Sequence, residues 1–479
     1  MKIKQLIINA IWYGVIPKIT AILSILLLPL ITPFLTLEDY GVMGLINSYK
    51  GIALGLATFG LHMHLTNSYF ELGKNFKLLW RRLLFYMIIS ASFMALGLAI
   101  IYFFSLPITP VSKKILVIIL SIIPVLFAPN DTIIAHYFPL IFKPRKQIVR
   151  NLIAAIVAIF VSFVMIRYYH LGYMGWVISG VISSLMVFFL FLKPLYIDLK
   201  IYPQPDFKPS RIKKLLKISL PVIPHSLAHI LLSSSDRIMM DLLGVSVISI
   251  GLYSNGYSIG ENANTVIQGI FIALSPVLQR IYRDKDITQM KYYYRTANLV
   301  VSVFILLTML WMKEFYAILI KNESLQPAHI IAILTCASYL VNATIYLYLS
   351  ASIFINKNTQ KILYLVFFPA ILNIILNFIF IPIYGFMAAL YTTIFTYWIV
   401  FLLPFIFPTF KNIIREMIGT RKIMLEGLLV NIIVLGIAYF CYYINYILKI
   451  VIVVLVVLAS YFYYKNFNLK NKSNNVTIS

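Results

Sequence analysis

Apolar residues run along this chain in long blocks separated by short polar connections, for example Ile115 to Phe127, Leu152 to Ile166, Tyr364 to Ile383 and Ile450 to Tyr464. A strand would alternate with period two, and these blocks do not. Blocks approaching 20 apolar residues cross hydrocarbon as helices, because the backbone polar groups must then be satisfied inside the segment. The pattern predicts about 14 spans, over residues 7–36, 41–66, 78–105, 115–142, 148–169, 172–192, 215–243, 246–279, 296–320, 328–355, 362–383, 385–408, 423–444 and 447–464. Lys2 and Lys4 resemble the start of a signal peptide, but no small-residue cleavage site follows and the block is too long. The first block is therefore expected to be a retained helix.

Composition agrees with this pattern. The chain of 479 residues is 61% hydrophobic and 11% charged, whereas soluble domains are about 45–50% apolar and about 25% charged. Mean hydropathy is +0.91. A net charge of +25 would suggest nucleic acid if it were clustered without regard to the spans. Instead it alternates with them. With the N-terminus in the cytoplasm, about 31 of the 40 Lys and Arg fall on the inner side, about 6 on the outer side and 3 within spans, which is the positive-inside asymmetry. Basicity thus reports topology and anionic lipid, and no nucleic-acid partner is expected. Cys336 and Cys441 both sit in apolar segments and support neither a disulfide framework nor a thiolate metal site.

Turn signals repeat along the chain. Spans 1 and 2 are joined by Leu37-Glu38-Asp39-Tyr40-Gly41-Val42-Met43-Gly44, and about 210 residues later spans 7 and 8 are joined by Ile248-Ser249-Ile250-Gly251-Leu252-Tyr253. Spans 5 and 6 meet at Leu171-Gly172-Tyr173-Met174-Gly175, and spans 11 and 12 at Tyr384-Gly385-Phe386-Met387-Ala388, about 213 residues on. Two signals at nearly one offset predict an all-α membrane protein with two six-helix lobes. An even number of spans keeps equivalent helices parallel, so the lobes should be related by a pseudo-two-fold axis along the membrane normal, with a substrate path between them. The expected organisation is an N-terminal lobe over 1–192, a cytoplasmic linker over 193–214, a C-terminal lobe over 215–408, two additional helices over 409–464 and a cytoplasmic tail over 465–479. Pro17, Pro29 and Pro33 in span 1, and Pro221 and Pro224 in span 7, make the first helix of each lobe the expected bending element.

The run from Lys18 through Pro29 to Thr32, followed by Glu38-Asp39-Tyr40-Gly41, resembles the Wzx-type polysaccharide flippases. So does the later run Ser219-Leu220-Pro221-Val222-Ile223-Pro224-His225-Ser226-Leu227, followed by Ser235-Asp236-Arg237-Ile238 and Gly251-Leu252-Tyr253-Ser254. These flippases, which handle O-antigen or capsule repeat units, belong to the multidrug/oligosaccharidyl-lipid/polysaccharide exporter superfamily with the MATE drug antiporters. The resemblance implies a MATE-like exporter that flips an undecaprenyl-diphosphate-linked oligosaccharide outward by alternating access. It implies residence in the bacterial plasma (inner) membrane as a multi-pass protein with both termini cytoplasmic. Partners would be the lipid-linked glycan, the bilayer, a polysaccharide polymerase and its chain-length machinery.

Charges placed inside spans cost about 2.5–3.5 kcal/mol on insertion scales, so they line a wet cavity or pair with one another. Lys18, Lys50, Asp131, Asp236, Arg237 and Glu261 are placed so. For a diphosphate ligand, Lys18, Lys50 and Arg237 are the candidate partners, Arg as a bidentate fork and Lys as a point charge. The competing reading is internal neutralisation, with Lys50 on Glu261 and Arg237 on an acid of another helix. Asp236 and Arg237 are adjacent and about 100° apart on a helix, so they do not form a same-face pair. Asp131, Asp236 and Glu261 are candidates for a coupling proton or Na⁺, and Asp131 is equally a candidate cap at Pro129. His225 and His229 stand one turn apart, but with no third ligand in view they read as cavity lining and no metal site is expected.

No Walker motif, metal triad or nucleophile elbow occurs in the sequence, so neither an enzyme nor ATP-driven transport is expected. The expected cofactor set is empty, with coupling to H⁺, to Na⁺ or to the membrane potential. A polysaccharide polymerase or ligase would need a sizeable outer loop, and a drug or cation antiporter a mainly acidic cavity. These are the two alternatives.

Overall fold

The computed structural model describes residues 16–220, 223–284, 287–345, 347, 359–406, 421–441 and 444–456. Among them there is no β-strand. In chain order the principal helices are α1 (Ile16–Ile31), α2 (Leu37–Ala57), α3 (Met63–Glu71), α4 (Phe76–Ser105), α5 (Val111–Leu140), α6 (Pro144–Arg167), α7 (Tyr173–Leu192) and α8 (Pro209–Ser219). They continue as α9 (Ile223–Leu242), α10 (Val247–Arg283), α11 (Ile287–Leu310), α12 (Met312–Leu319), α13 (His329–Ile345), α14 (Thr359–Tyr384), α15 (Ala388–Ile406) and α16 (Arg421–Cys441). A last apolar helix, α17, covers Tyr446–Val456.

Among the described residues eight helices are long and apolar enough to cross a membrane, and three shorter apolar helices accompany them. Their outward faces carry Phe93, Phe104, Phe160 and Phe378, all well exposed. In water such a surface would be a liability; in hydrocarbon it is the ordinary exterior. The chain is an all-α, multi-pass membrane protein. Helices α2, α9 and α10, of 21, 20 and 37 residues, are not in that apolar set. They carry Lys50, the Asp236-Arg237 pair and Glu261.

By contacts the described chain divides into two units. The first comprises the described residues of Met1–Asn255, Ala317–Ala328 and Leu363–Thr392; the second those of Gly256–Tyr316, His329–Ile362 and Thr393–Ser479.

In the first unit, α2 begins with a capping box: Thr36 Oγ1 accepts from Asp39 N at 3.1 Å while the Asp39 carboxylate accepts from Thr36 N at 2.8 Å. The other Asp39 oxygen accepts from Tyr173 N at 2.8 Å, and the Tyr40 ring meets Trp176 edge-on with centroids 5.0 Å apart. A Cβ on Gly172, whose φ is +54°, would run into the Asp39 carboxylate. The two turn signals of the N-terminal half therefore lock onto one another.

The turn that opens α2 also docks on its repeat at the start of α10. A Cβ on Gly41 would collide with Val247, one on Gly251 with the Leu37 backbone, and one on Gly44 with Ser254. Leu37 and Val247, Gly41 and Gly251, and Gly44 and Ser254 are each separated by the same stretch, about 210 residues. The contact is thus reciprocal, as an isologous contact about a two-fold axis must be. Gly44 and Ser254, equivalent positions in this register, touch each other.

At the opposite end α2 stops earlier than the span expected over 41–66. Phe59 and Gly60 take φ of 47° and 69°, which no right-handed helix accommodates, and the chain restarts as α3. The base of this unit is a cluster around Trp80, Leu83, Met87, Leu195 and Leu215. Trp80 Nε1 donates to Leu65 O at 3.2 Å and to Ser68 Oγ at 3.0 Å. The linker is strapped to it. Arg81 Nε donates to Lys200 O at 2.7 Å with its guanidinium over the Tyr202 ring. The buried Asp206 carboxylate binds both Arg82 and Arg211.

In the second unit, α11, α13 and α16 share a buried polar network. Thr344 Oγ1 lies 2.9 Å from Asn298 Oδ1 and accepts from Asn431 Nδ2 at 2.8 Å, and Ser302 Oγ donates to Asn431 Oδ1 at 3.3 Å. Arg295 pairs with Glu426 at 2.6 Å. The buried Lys449 ammonium fixes α17 through Glu314 Oε1 at 2.7 Å and Leu310 O at 2.9 Å.

Candidate functional site

Lys50 lies on α2, about 20 Å from the Leu37 end of the helix at 1.5 Å per residue. It is half-buried, and among the described residues it makes neither an ion pair nor a hydrogen bond. Among the described residues no acid is paired with Lys50. Gly51 and Gly55, on the same helix, open onto Ile230 of α9.

Arg237 and Asp236, on α9, are both buried, and they turn to different partners. Arg237 donates from Nε to Ser254 Oγ at 3.2 Å and from a terminal nitrogen to Ser233 O at 3.1 Å, with the guanidinium 5.6 Å from the centre of the Tyr253 ring. Asp236 accepts from Tyr253 Oη at 2.5 Å and from Asn377 Nδ2 at 2.7 Å. Around it the Asn377 amide also donates to Asn373 Oδ1 at 3.1 Å and accepts from Thr392 Oγ1, while Ser235 Oγ donates to Asn373 Oδ1 at 3.1 Å. Asp236 thus accepts from an amide and a phenol donor within a buried polar cluster drawn from α9, α10, α14 and α15.

Asn373, Asn377 and Thr392 are not among the residues singled out from sequence. A signal for two of them exists: Asn373 and Asn377 stand four apart in the otherwise apolar run of α14, on one helical face. Polar side chains spaced so inside a membrane segment mark a path or a partner.

Asp131 is on α5, which runs unbroken through Pro124 and Pro129. Its Oδ1 is buried without a hydrogen-bond partner among the described residues, so the cap at Pro129 is not made. The neighbouring Asn130 accepts from Tyr196 Oη at 2.5 Å. Glu261, on α10, is exposed and belongs to the second unit. Lys18 lies on α1 and His225 and His229 on α9, but their side chains are outside the described residues. The structure thus gathers Asp236 and Arg237 with Ser254 and Asn377, and leaves Lys50 and Asp131 as half-buried charges without a described partner.

The fold has known counterparts. A structure titled as the lipid II flippase MurJ in an inward closed conformation matches with a TM-score of 0.67 and 16% identity, covering 96% of this chain and 99% of that one. An inward-facing multidrug resistance MATE family transporter of the MOP superfamily matches at 0.56 with 12% identity, over 88% of this chain and 95% of that one. A MOP superfamily transporter from Pyrococcus furiosus, titled as having a binding pocket of reverse polarity, matches at 0.52 with 13% identity, over 86% and 95%. At these identities the likeness is one of fold, and it makes the architecture MATE-like. A comparison with curated proteins gave no match. The model of the family described as "Polysaccharide biosynthesis protein" matches residues 6–282, more than half of the chain, and the chain belongs to that family.

Proposed function

We infer that the protein is a flippase that carries undecaprenyl-diphosphate-linked oligosaccharide repeat units from the cytoplasmic to the outer leaflet of a bacterial inner membrane by alternating access. Family membership supports the polysaccharide pathway. The single observation that carries the chemistry is Lys50, a half-buried cation on a membrane helix with no described counter-charge. A lysine left so costs about 2.5–3.5 kcal/mol on insertion scales. A diphosphate offers the missing oxygens, and each charge-assisted bond to them is worth about 1.5–3 kcal/mol. In this reading Lys18, Lys50 and Arg237 hold the headgroup, and the protein is a carrier and not an enzyme.

Moving one negative charge outward across an inside-negative membrane releases about 2.3 kcal/mol per 100 mV, so the potential itself favours export. Asp236, buried in a polar cluster, is the first choice for a coupling H⁺ or Na⁺, with Asp131, Glu261, His225 and His229 as further candidates. A drug or cation antiporter would place acids where Lys50 stands.

The test is to follow lipid-linked oligosaccharide in cells that carry Lys50→Ala or Lys50→Arg at normal protein levels. Accumulation of unflipped lipid in Lys50→Ala, by about tenfold or more, with recovery in Lys50→Arg, is expected. Normal surface polysaccharide in Lys50→Ala removes the assignment.

A further inference from the structure

The linker end of α4 puts a charge on the side of the helix that faces lipid. Leu78, Arg82, Phe85, Ile89, Phe93 and Leu96 fall within about 80° of one another on a helix of 3.6 residues per turn, so they share one face. Leu78, Ile89, Phe93 and Leu96 are exposed, as side chains in contact with hydrocarbon are. Phe207 of the linker, 74% exposed, meets the Phe85 ring edge-on with centroids 5.4 Å apart and broadens this apolar stripe. Arg82 lies three residues, about 4.5 Å along the helix, closer to the basic end than Phe85 does. That is the step from hydrocarbon to headgroup, on the side that the Lys and Arg distribution makes cytoplasmic. At this level the Asp206 carboxylate draws in two guanidiniums, Arg82 with Nε at 3.3 Å and Arg211, and among the described residues neither side chain has a further ion pair or hydrogen bond. Two guanidiniums on one carboxylate leave one positive charge. Lys208, exposed and likewise without a described side-chain partner, adds a second. The Tyr86 hydroxyl, within electrostatic reach of both arginines, is buried and has no hydrogen-bond partner among the described residues. Gln204, two residues before Asp206, also carries a buried side-chain oxygen without one.

We propose that Arg82, Arg211, Lys208 and Tyr86 hold the phosphodiester of one anionic phospholipid of the cytoplasmic leaflet, with the chemistry of phosphatidylglycerol, and that its acyl chain lies along Phe207 and Phe85. Buried polar atoms left open in a folded protein call for a partner, and here they stand beside surplus positive charge at the foot of an apolar stripe. A phosphodiester carries one charge and two unbridged oxygens. It takes the guanidinium nitrogens that Asp206 leaves over, in charge-assisted bonds, and the phenol donates to it. Its single charge matches the single charge left by the two arginines and Asp206, and the ammonium of Lys208 stands at the rim. A zwitterionic lipid brings a cation of its own, which occupies its phosphate and is repelled by Lys208. The place of Phe207 on the lipid-facing stripe favours a lipid over an acidic peptide as the occupant. The site does not rest on the flippase reading; it needs only that α4 spans the membrane with this end in the cytoplasm. Because Arg211 and Lys208 belong to the segment that joins the two repeats, a lipid held there fastens that segment to the leaflet.

The experiment titrates the full chain in detergent with phosphatidylglycerol and follows the first bound lipid by native mass spectrometry, with phosphatidylcholine of the same chains and inorganic phosphate as comparisons. Phosphatidylglycerol is expected to bind about tenfold more tightly than phosphatidylcholine, and inorganic phosphate not to displace it. Arg211→Gln is expected to erase that preference while Arg82 still holds Asp206. Tyr86→Phe removes a hydroxyl that bonds to nothing among the described residues. It is expected to weaken phosphatidylglycerol about fivefold and to leave the unfolding temperature of the lipid-free protein unchanged. Lys213→Gln, at an exposed position of α8, is expected to change neither. Equal affinity for the two lipids, displacement by inorganic phosphate, or full affinity in Tyr86→Phe overturns the site. A loss in Lys213→Gln as large as in Arg211→Gln also overturns it, by reducing it to a diffuse basic surface. Displacement of phosphatidylglycerol by an equal concentration of farnesyl diphosphate, which is not expected, assigns the site to a diphosphate lipid and overturns the phospholipid as its occupant.

Discussion

Two buried polar clusters, one in each unit, are built from the same kinds of side chain and differ by one charge. In the second unit Asn298, Ser302, Thr344 and Asn431 satisfy one another, and each is at most 3% exposed. In the first, Asn373, Asn377, Thr392, Ser235 and Tyr253 surround Asp236, which is fully buried. Amides and hydroxyls alone can close a network on themselves, and such a network fastens helices to one another. A carboxylate adds a titratable charge to the cluster, and a buried group of this kind is a candidate for taking up a proton or a cation. The difference separates a fastening from a candidate ion site, although both look alike as runs of polar residues in apolar helices.

The comparison can be broken most forcefully by moving the charge. Asn431→Asp places a carboxylate in the closed network and is expected to cost about 3–5 kcal/mol, seen as loss of a monodisperse, thermally stable protein in detergent. Should Asn431→Asp unfold within a few degrees of the parent, the distinction fails. Next in size is Asp236→Asn. It should leave the unfolding temperature close to the parent's while lowering the dependence of lipid flipping on an imposed pH or Na⁺ gradient about tenfold, the change that about 1.4 kcal/mol of lost ion binding gives. Undiminished gradient dependence in that variant assigns coupling elsewhere, with Asp131 the next to test. Thr344→Val removes the hydroxyl at the centre of the neutral network and should lower stability by about 1–3 kcal/mol in a denaturation series, with gradient dependence unchanged. Smallest is Ser302→Ala, whose bond to Asn431 is long at 3.3 Å. It should cost about 0.5 kcal/mol by the same measurement, enough to rank the members of the network.

The sequence was most informative where hydrocarbon imposes its own rule. Helices α4, α5, α6 and α7 lie close to the spans that the apolar blocks predict, because an unsatisfied backbone is not tolerated there. The repeat was read from two turn signals, and at the first of them the turn that opens α2 touches its counterpart at the start of α10. That Asp39 would bind the second of these turns was not legible, since a carboxylate at a helix start reads as a local cap and its second acceptor oxygen is free to reach any neighbour. The charged candidates stood out against an apolar background, whereas Asn373 and Asn377 did not, because an uncharged amide barely disturbs a hydropathy pattern. The early end of α2 escaped for a related reason: hydropathy continues through Phe59 and Leu61, and only the backbone angles at Phe59 and Gly60 reveal the break.

Where the equivalent positions of a repeat touch each other, a mismatch between them cannot be hidden by the symmetry around it. Gly44 and Ser254 are such a mismatch. The serine side can grip a guanidinium, and the position about 210 residues before Arg237 is Leu27, which has nothing to grip with. At this contact one half therefore carries a hydroxyl that bonds a guanidinium and the other a bare glycine, so the two turns meet without being interchangeable.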